Sequence, residues 1–491
     1  MSPEARSPQE AILQFLTSLH SPARILVAIS GGSDSTGLLL LLDEAVKAAA
    51  HLKISLCAAT VDHALRAGSA DEAHAVAALC TSLGIPHTIM IWRGDKPKTG
   101  IMAAAREARY GLLAEAAAAL GANLIVTGHT LDDQRETLQM RGMRTEQAST
   151  GIADAVLFNR RFWILRPLLF SSRADIRSLL TERSVPWIDD PSNEDVKYER
   201  VRIRRQLPAD AGPEKNICRA WEERLALSAK AADWLDRHFR LHGGLLGQVM
   251  PDGLGQDRAV LDYALGRLTA VFGGQPFAPG RAPMERILQF AGGGEPGRMT
   301  VGRVVFDLRR DGLYLTRESR GIVSLVLMPG EAGVWDGRFR MCNGVATSIV
   351  VGAAASDSPS FLSSDLTRGM SQESSAPKSL GAKDSSGFIE SITAQTRRGW
   401  IPVTSTGMRG NMWHLPKAAW KRAIASAPVL SADGTLLSQE SSPTIDLTPY
   451  FAPFDRFLTR FDFIFANRLS AVFATAPYPR PPLRSIDGKT I

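Results

Sequence analysis

The stretch ILVAISGGSDSTGLLLLL, from Ile25 to Leu42, restricts this chain more than any other. Ile25 to Ile29 have the length and apolar character of a buried strand, and the run stops just before a Gly-Gly pair. Asp34 and Ser35 suit a helix start, which Leu38 to Leu42 continue as an apolar segment. A strand, a glycine-rich turn and a helix N-terminus gather several backbone N–H groups around one concavity. The helix dipole adds partial positive charge there, so the guest that this geometry suits is a phosphate. A ligand-free turn would need the glycines alone. The hydroxyls of Ser30, Ser33 and Ser35 and the carboxylate of Asp34 favour an anion site.

Two familiar phosphate loops fail on spacing. Gly32 to Gly37 satisfies half of a Walker A motif, but Leu38 and Leu39 stand where Lys and Ser/Thr are required. No G-x-G-x-x-G follows the strand, so a dinucleotide fingerprint is unsupported. SGGSDS instead resembles SGGxDS, the pyrophosphate loop of the ATP-pyrophosphatase superfamily, at every fixed position: Ser30, Gly31, Gly32, Asp34 and Ser35. The resemblance implies a loop that holds the β,γ-pyrophosphate of ATP, which is cleaved between the α and β phosphates to adenylate a substrate.

A chain of 491 residues exceeds one core and predicts two to four domains. No apolar run approaches the length of a membrane span, so no membrane association is expected. MSPEARSPQE lacks the basic start and apolar core of a secretory signal. Cys57, Cys80, Cys218 and Cys342 form no C-x-x-C pair, which argues against a zinc knuckle, an iron–sulfur cluster or a disulfide frame and fits a reducing cytoplasm. The net charge of +7 favours a polyanionic partner, though only weakly.

Strand-like runs recur at Ile54 to Val61, His87 to Ile91, Leu124 to Thr127 and Phe162 to Leu165, separated by alanine-rich helical stretches such as Asp71 to Leu83 and Met102 to Leu120. Alternating strands and helices imply a parallel sheet whose ligands sit beyond the carboxyl ends of the strands. DHALRAGS (Asp62 to Ser69) and GHTLDDQRET (Gly128 to Thr137) follow two of those ends. Each has a bland reading. Asp62-His63 suits a capped turn, Asp132-Asp133 a helix start, and Arg106 and Arg109 the wet face of a helix. Their joint placement around the SGGSDS mouth favours a site.

SGGSDSTGLL, DHALRAGS, AREARY, GHTLDDQRET, RPLL and WIDDPSN, in this order, resemble the tRNA(Ile)-lysidine synthase family, over roughly Arg24 to Pro208. The resemblance implies an α/β fold: a parallel-sheet nucleotide-binding domain of the adenine-nucleotide α-hydrolase type, then a helical region and α+β C-terminal domains. It also implies ATP, Mg²⁺, free L-lysine and a tRNA(Ile) with a CAU anticodon, whose wobble cytidine becomes lysidine. Ser30, Gly31, Gly32, Ser33, Asp34, Ser35, Asp62 and His63 are then expected at the nucleotide. Asp34 and Asp133 are the candidate metal ligands, and Asp34, Arg109, His129, Asp133 and Glu136 the candidate catalytic set. His129 and Glu136 are seven apart, on one helix face if the helix starts early enough. Arg66, Arg200, Arg202, Arg204 and Arg205 are expected at the tRNA, the last four within a basic helix YERVRIRRQLP.

The chain departs from the family pattern twice. LQMRGMRTEQASTGIAD replaces the usual approach to an RGSG loop, and Val201 stands where an asparagine usually follows arginine. The expected domains are 1–210 (catalytic), 211–320 (mainly helical) and 321–491 (tRNA-binding), the last with a Ser-rich mobile insertion at 356–386. Asn216 to His242 reads as a packing helix. The oligomeric state is left open, a homodimer included. The competing readings are another pyrophosphate-loop tRNA modifier, such as a thiolation enzyme, and a non-catalytic tRNA-binding protein.

Overall fold

The structure is a computed structural model that describes residues 6–65, 68–94, 96–97, 99–142, 149–189, 202–203, 214–354, 415–432, 435–437, 445–486 and 489–490. Two compact units divide the chain. One is Met1–Leu225 with Phe457–Asp462 and Pro479–Ile491; the other is Ala226–Arg456 with Phe463–Tyr478. The second runs unbroken across residue 320.

In the first unit the strands are β1 (Ala23–Ala28), β2 (Ile54–Asp62), β3 (His87–Ile91), β4 (Leu124–Thr127), β5 (Ala155–Phe158) and β6 (Phe162–Leu165). The sheet order is β5-β6-β4-β1-β2-β3, with the strand Phe457–Thr459 outside β5. From β6 to β3 every pairing is parallel, whereas β5 runs antiparallel to β6 and to Phe457–Thr459. Ile25, Leu26 and Val27 are fully buried, as a central parallel strand covered on both faces requires.

The helices are α1 (Pro8–Ser18), α2 (Ser33–Ala48), α3 (Ser69–Leu83), α4 (Ile101–Ala119), α5 (Leu131–Gly142) and α6 (Arg173–Glu182). Leu38 to Leu42 of α2 are all buried. Gly37 permits that packing, because a Cβ there would collide with Ile176 of α6. The chain leaves β1 towards β2 on one side, while β4 pairs with β1 on the other. The crevice beyond the carboxyl ends of β1 and β4 is therefore the topological switch point, where sheets of this kind bind ligands.

Two elements differ from expectation. β5 has no turn signal in the sequence, because its turn carries no glycine: Asn159 and Arg160 take positive φ of 50° and 55°, and Arg161 N–H donates to Phe158 O at 2.9 Å. Asparagine tolerates that geometry, but arginine rarely advertises it. The helix expected over Asn216 to His242 is Glu214–His238, and Phe239–His242 is a strand paired antiparallel with Leu246–Val249. Gly243 and Gly244, both at positive φ, close that hairpin. Of the apolar residues at helical spacing, Trp221, Ala232 and Leu235 are buried and Leu225 is half-buried, so the helix packs along that face.

The second unit holds antiparallel sheets, the largest running Phe239–His242, Leu246–Val249, Gly312–Arg317, Val304–Arg309, Gly297–Val301 in spatial order. The helices Arg258–Gly273 and Arg281–Gly292 belong to the same unit. The Ser-rich segment 356–386 lies outside the described residues.

Candidate active site

Between β1 and α2 the chain makes the turn that its glycines foretell. Gly31 has φ of +86°, and a Cβ on it would lie 2.7 Å from Ile188 Cδ1. Gly32 is the N-cap of α2 and offers no side chain to the first turn. Thr36 N–H is bonded to Gly32 O at 3.0 Å, so the N–H groups of Ser33, Asp34 and Ser35 have no intrahelical acceptor. Ser35 Oγ ties the loop together: it accepts from Ser30 N–H at 3.1 Å and donates to Gly32 O at 3.1 Å. Ser30 Oγ lies 3.2 Å from it. These two hydroxyls shape the turn, beside which the first N–H groups of α2 are left without helical partners.

The second wall comes from β4. A Cβ on Gly128 would lie 2.9 Å from the carbonyl carbon and oxygen of Asp34, so only glycine lets this strand end approach the start of α2 so closely. Thr130 then begins the turn into α5, with its N–H and hydroxyl donating to Asp133 Oδ2 at 3.0 and 3.2 Å. The third wall is α6. Arg173 Nε donates to Asp34 Oδ2 at 2.8 Å, and its Nη2 lies 3.6 Å from Asp133 Oδ2. Its backbone N–H donates to Asp132 Oδ2 at 2.8 Å. The structure thus brings the two metal-ligand candidates onto one guanidinium. Burial lifts the Asp34 carboxyl above its ordinary 3.8, and Arg173 opposes the rise. One turn along α6, Arg177 Nε donates to Ser33 Oγ at 3.2 Å and its Nη2 to Asp189 Oδ1 at 2.8 Å.

A family model described as a PP-loop domain matches residues 5–210. The tRNA(Ile)-lysidine synthase of Rhizobium meliloti (strain 1021) is 40% identical over 485 residues, which are 96% of this chain and 96% of that protein. This chain belongs to the tRNA(Ile)-lysidine synthase family. The enzyme of the same name from Mesorhizobium japonicum is 35% identical over 475 residues, 93% of this chain and 94% of the relative. A solved U34-tRNA thiolase from Methanococcus maripaludis aligns at a TM-score of 0.37 and 16% identity, covering 44% of this chain and 77% of that one. That likeness is too loose to bear on function.

Among the family motifs of this lysidine synthase relative, several do structural work. Tyr110 of AREARY and Arg166 of RPLL are buried together, with Arg166 Nη2 donating to Tyr110 Oη at 3.3 Å. Arg106 and Arg109 lie on the exposed side of α4. Asp62 accepts from Ala64 N–H at 2.8 Å, so the capped turn after β2 is real and the carboxylate makes it. The His63 imidazole packs edge-on to Trp92, with ring centroids 5.9 Å apart. Its buried Nδ1 has no hydrogen-bond partner among the described residues.

The one-face pairing of His129 and Glu136 does not occur. α5 starts at Leu131, because Asp133 caps the turn at Thr130, so His129 precedes the helix. His129 Nδ1 lies 2.9 Å from Thr127 Oγ1, while Glu136 is buried within α5. Arg66, Arg200, Arg204 and Arg205 lie outside the described residues, as does most of YERVRIRRQLP; Arg202 is described and exposed. The altered loop after Thr137 is described only in part, and Val201 is not.

Sequence reasoning missed Arg173 and Arg177. The signal was present: Ser172 and Asp175 form an S-x-x-D helix start, with Asp175 N–H donating to Ser172 Oγ at 3.1 Å. That start fixes two arginines four apart on one face of a helix.

His63 carries a pH prediction. Burial, reinforced by the positive charge of Arg109, lowers its pKa from 6.5 to about 4. Between those values the unfolded chain binds a proton that the folded chain refuses, so stability should fall as pH drops through 6.5 towards 4. His63→Asn should lose part of that acid sensitivity. Melting temperatures of both proteins at about pH 7.5 and 5.5 test this; equal acid shifts would reject it.

Proposed function

We propose that this chain uses ATP to ligate free L-lysine to C2 of the wobble cytidine in a tRNA(Ile) with a CAU anticodon, forming lysidine. The observation that carries the reading is the SGGSDS cradle at the switch point, with Asp34 and Asp133 gathered on Arg173, in a chain that matches a lysidine synthase over 96% of its length. The cytidine O2 attacks the α-phosphate and pyrophosphate leaves; the lysine amine, after losing a proton, attacks C2 and AMP leaves. The product switches decoding from AUG to AUA and charging from methionine to isoleucine. The N–H groups of Ser33 to Ser35 hold the departing pyrophosphate. Arg109 stabilises the α-phosphate, and His129 and Glu136 serve the base or the amine. The cytosine must leave its anticodon stack to reach the site.

Mg²⁺ would supply charge neutralisation on the phosphates. Asp34 and Asp133 fit such an ion: they are hard oxygen donors that already share one cation, Arg173. No group of three metal-ligating side chains occurs among the described residues, so the remaining ligands would be phosphate oxygens and water.

The deciding experiment measures pyrophosphate release from ATP and incorporation of labelled lysine, with and without a CAU-anticodon tRNA(Ile). Release that ignores the tRNA, or tRNA that gains no lysine, rejects the reading. The thiolation alternative needs a reactive thiol. Cys57 and Cys80 are buried, and burial pushes the Cys80 thiol up to about 11, while Cys218 is half-buried and Cys342, in the second unit, is exposed; no two of the four form a C-x-x-C pair. No helix among the described residues is long and apolar enough to cross a membrane.

The tRNA contact is tested by changing Arg202, Arg204 and Arg205 together to alanine. Each arginine on a phosphate releases counterions, so the slope of log affinity against log salt should become shallower by about two to three. ATP binding should stay nearly unchanged. Filter binding at several salt concentrations checks this, and an unaltered slope and affinity would remove the segment from the tRNA surface.

A further inference from the structure

Arg173 is the first residue of α6, where the helix dipole disfavours a cation. What holds it there is a set of acids from two other helices. Its backbone N–H is bonded to Asp132, its Nε to Asp34 and its Nη2 approaches Asp133, at 2.8, 2.8 and 3.6 Å. The three side chains Arg173, Asp34 and Asp133 are only 18%, 18% and 15% exposed. Two carboxylates that far from water repel each other unless a cation lies between them. We infer that Arg173 is the built-in counter-cation of the Asp34–Asp133 pair, a positioning residue that yields the pair to the divalent cation arriving with ATP.

The inference rests on the ATP-binding part of the proposed function. A guanidinium and a divalent ion cannot share one carboxylate pair without strong like-charge repulsion. Exchange follows. Without nucleotide the arginine holds the two carboxylates in place, and it blocks idle metal binding. With nucleotide the side chain is released, while its backbone bond to Asp132 keeps it at the mouth.

The test uses Mn²⁺, whose free concentration is read by electron paramagnetic resonance, on the full chain without ATP. Arg173→Met should bind Mn²⁺ at least about tenfold more tightly than the unaltered protein, because the acids lose their internal partner. Arg173→Lys should stay near the unaltered protein. Adding Asp34→Asn to Arg173→Met should cancel the gain. A role in folding alone produces no such gain, so an Arg173→Met protein that binds Mn²⁺ no better overturns the inference, as does a gain that Asp34→Asn leaves intact. Should Arg173→Met fail to fold, the Nε resonance of Arg173, assigned with Arg173→Lys, decides. It should move when Mg²⁺ and ATP are added together and not with ATP plus chelator; an unmoved resonance overturns the exchange. ATP binding by the unaltered protein is measured alongside. If that is absent, the nucleotide reading and the exchange both fall; if it is present without the Mn²⁺ gain, the exchange alone falls.

Discussion

Asp34→Ala is expected to abolish pyrophosphate release from ATP, by a factor of about a thousand or more. The carboxylate sits on the first turn of α2, beside the N–H groups proposed to hold the pyrophosphate, and an ion placed by it would neutralise charge worth several kcal/mol at the transition state. The effect on folding is a separate matter. Asp34 is the closest side-chain partner of Arg173, at 2.8 Å and 18% exposure, so its loss leaves a largely buried guanidinium leaning on Asp133. Breaking such a pair costs more than losing a surface helix-start acid, and a penalty of about 1–3 kcal/mol is expected. Asp34→Asn, which keeps a side-chain oxygen near Arg173, should melt closer to the unaltered protein yet be equally inactive. Thermal melts paired with a pyrophosphate-release assay separate the two effects. Release at near the unaltered rate from a folded Asp34→Asn protein would remove this carboxylate from the chemistry.

Gly128→Ala is the second large effect expected. The added Cβ would stand 2.9 Å from the backbone of Asp34 and 3.0 Å from Ser35 Cα, and backbone cannot swing aside as a flexible side chain can. Either the end of β4 or the start of α2 must shift. Overpacking of this kind costs about 1–3 kcal/mol. A displacement of about 1 Å at a reacting site can cost about a hundredfold in rate. ATP affinity and turnover should both fall, with a lowered melting temperature. Gly111→Ala, in α4 with nothing within 4 Å of the added Cβ, is the matched control. It should be neutral or stabilising by about 0.4–1 kcal/mol. Equal behaviour of the two variants would show that the close approach at Gly128 does not matter.

The sequence by itself determined the strand–loop–helix unit around SGGSDS, the parallel strands β1 to β4 and β6, and the family. These are local features: a run of aliphatic residues, a glycine that must take positive φ, an N-cap that leaves backbone donors open. Each is legible within a few positions, because backbone sterics and burial act over that range. From the residues alone Asp34 and Asp133 were legible only as acids at helix starts; what paired them was the family resemblance. Their meeting depends on β4 pairing with β1, and on Gly128 letting one helix start come close to the other. Arg173 and Arg177 carry no motif of their own, and their roles exist only because α6 packs on α2 where Gly37 admits Ile176. The failure of the His129–Glu136 pairing has a local origin instead. A side-chain cap from Asp133 fixed the start of α5 after His129, and spacing in the sequence cannot weigh one hydrogen bond against another turn of helix. Local propensity wrote the cradle; long-range packing decided which charges face it, because electrostatic partners are chosen by distance in space.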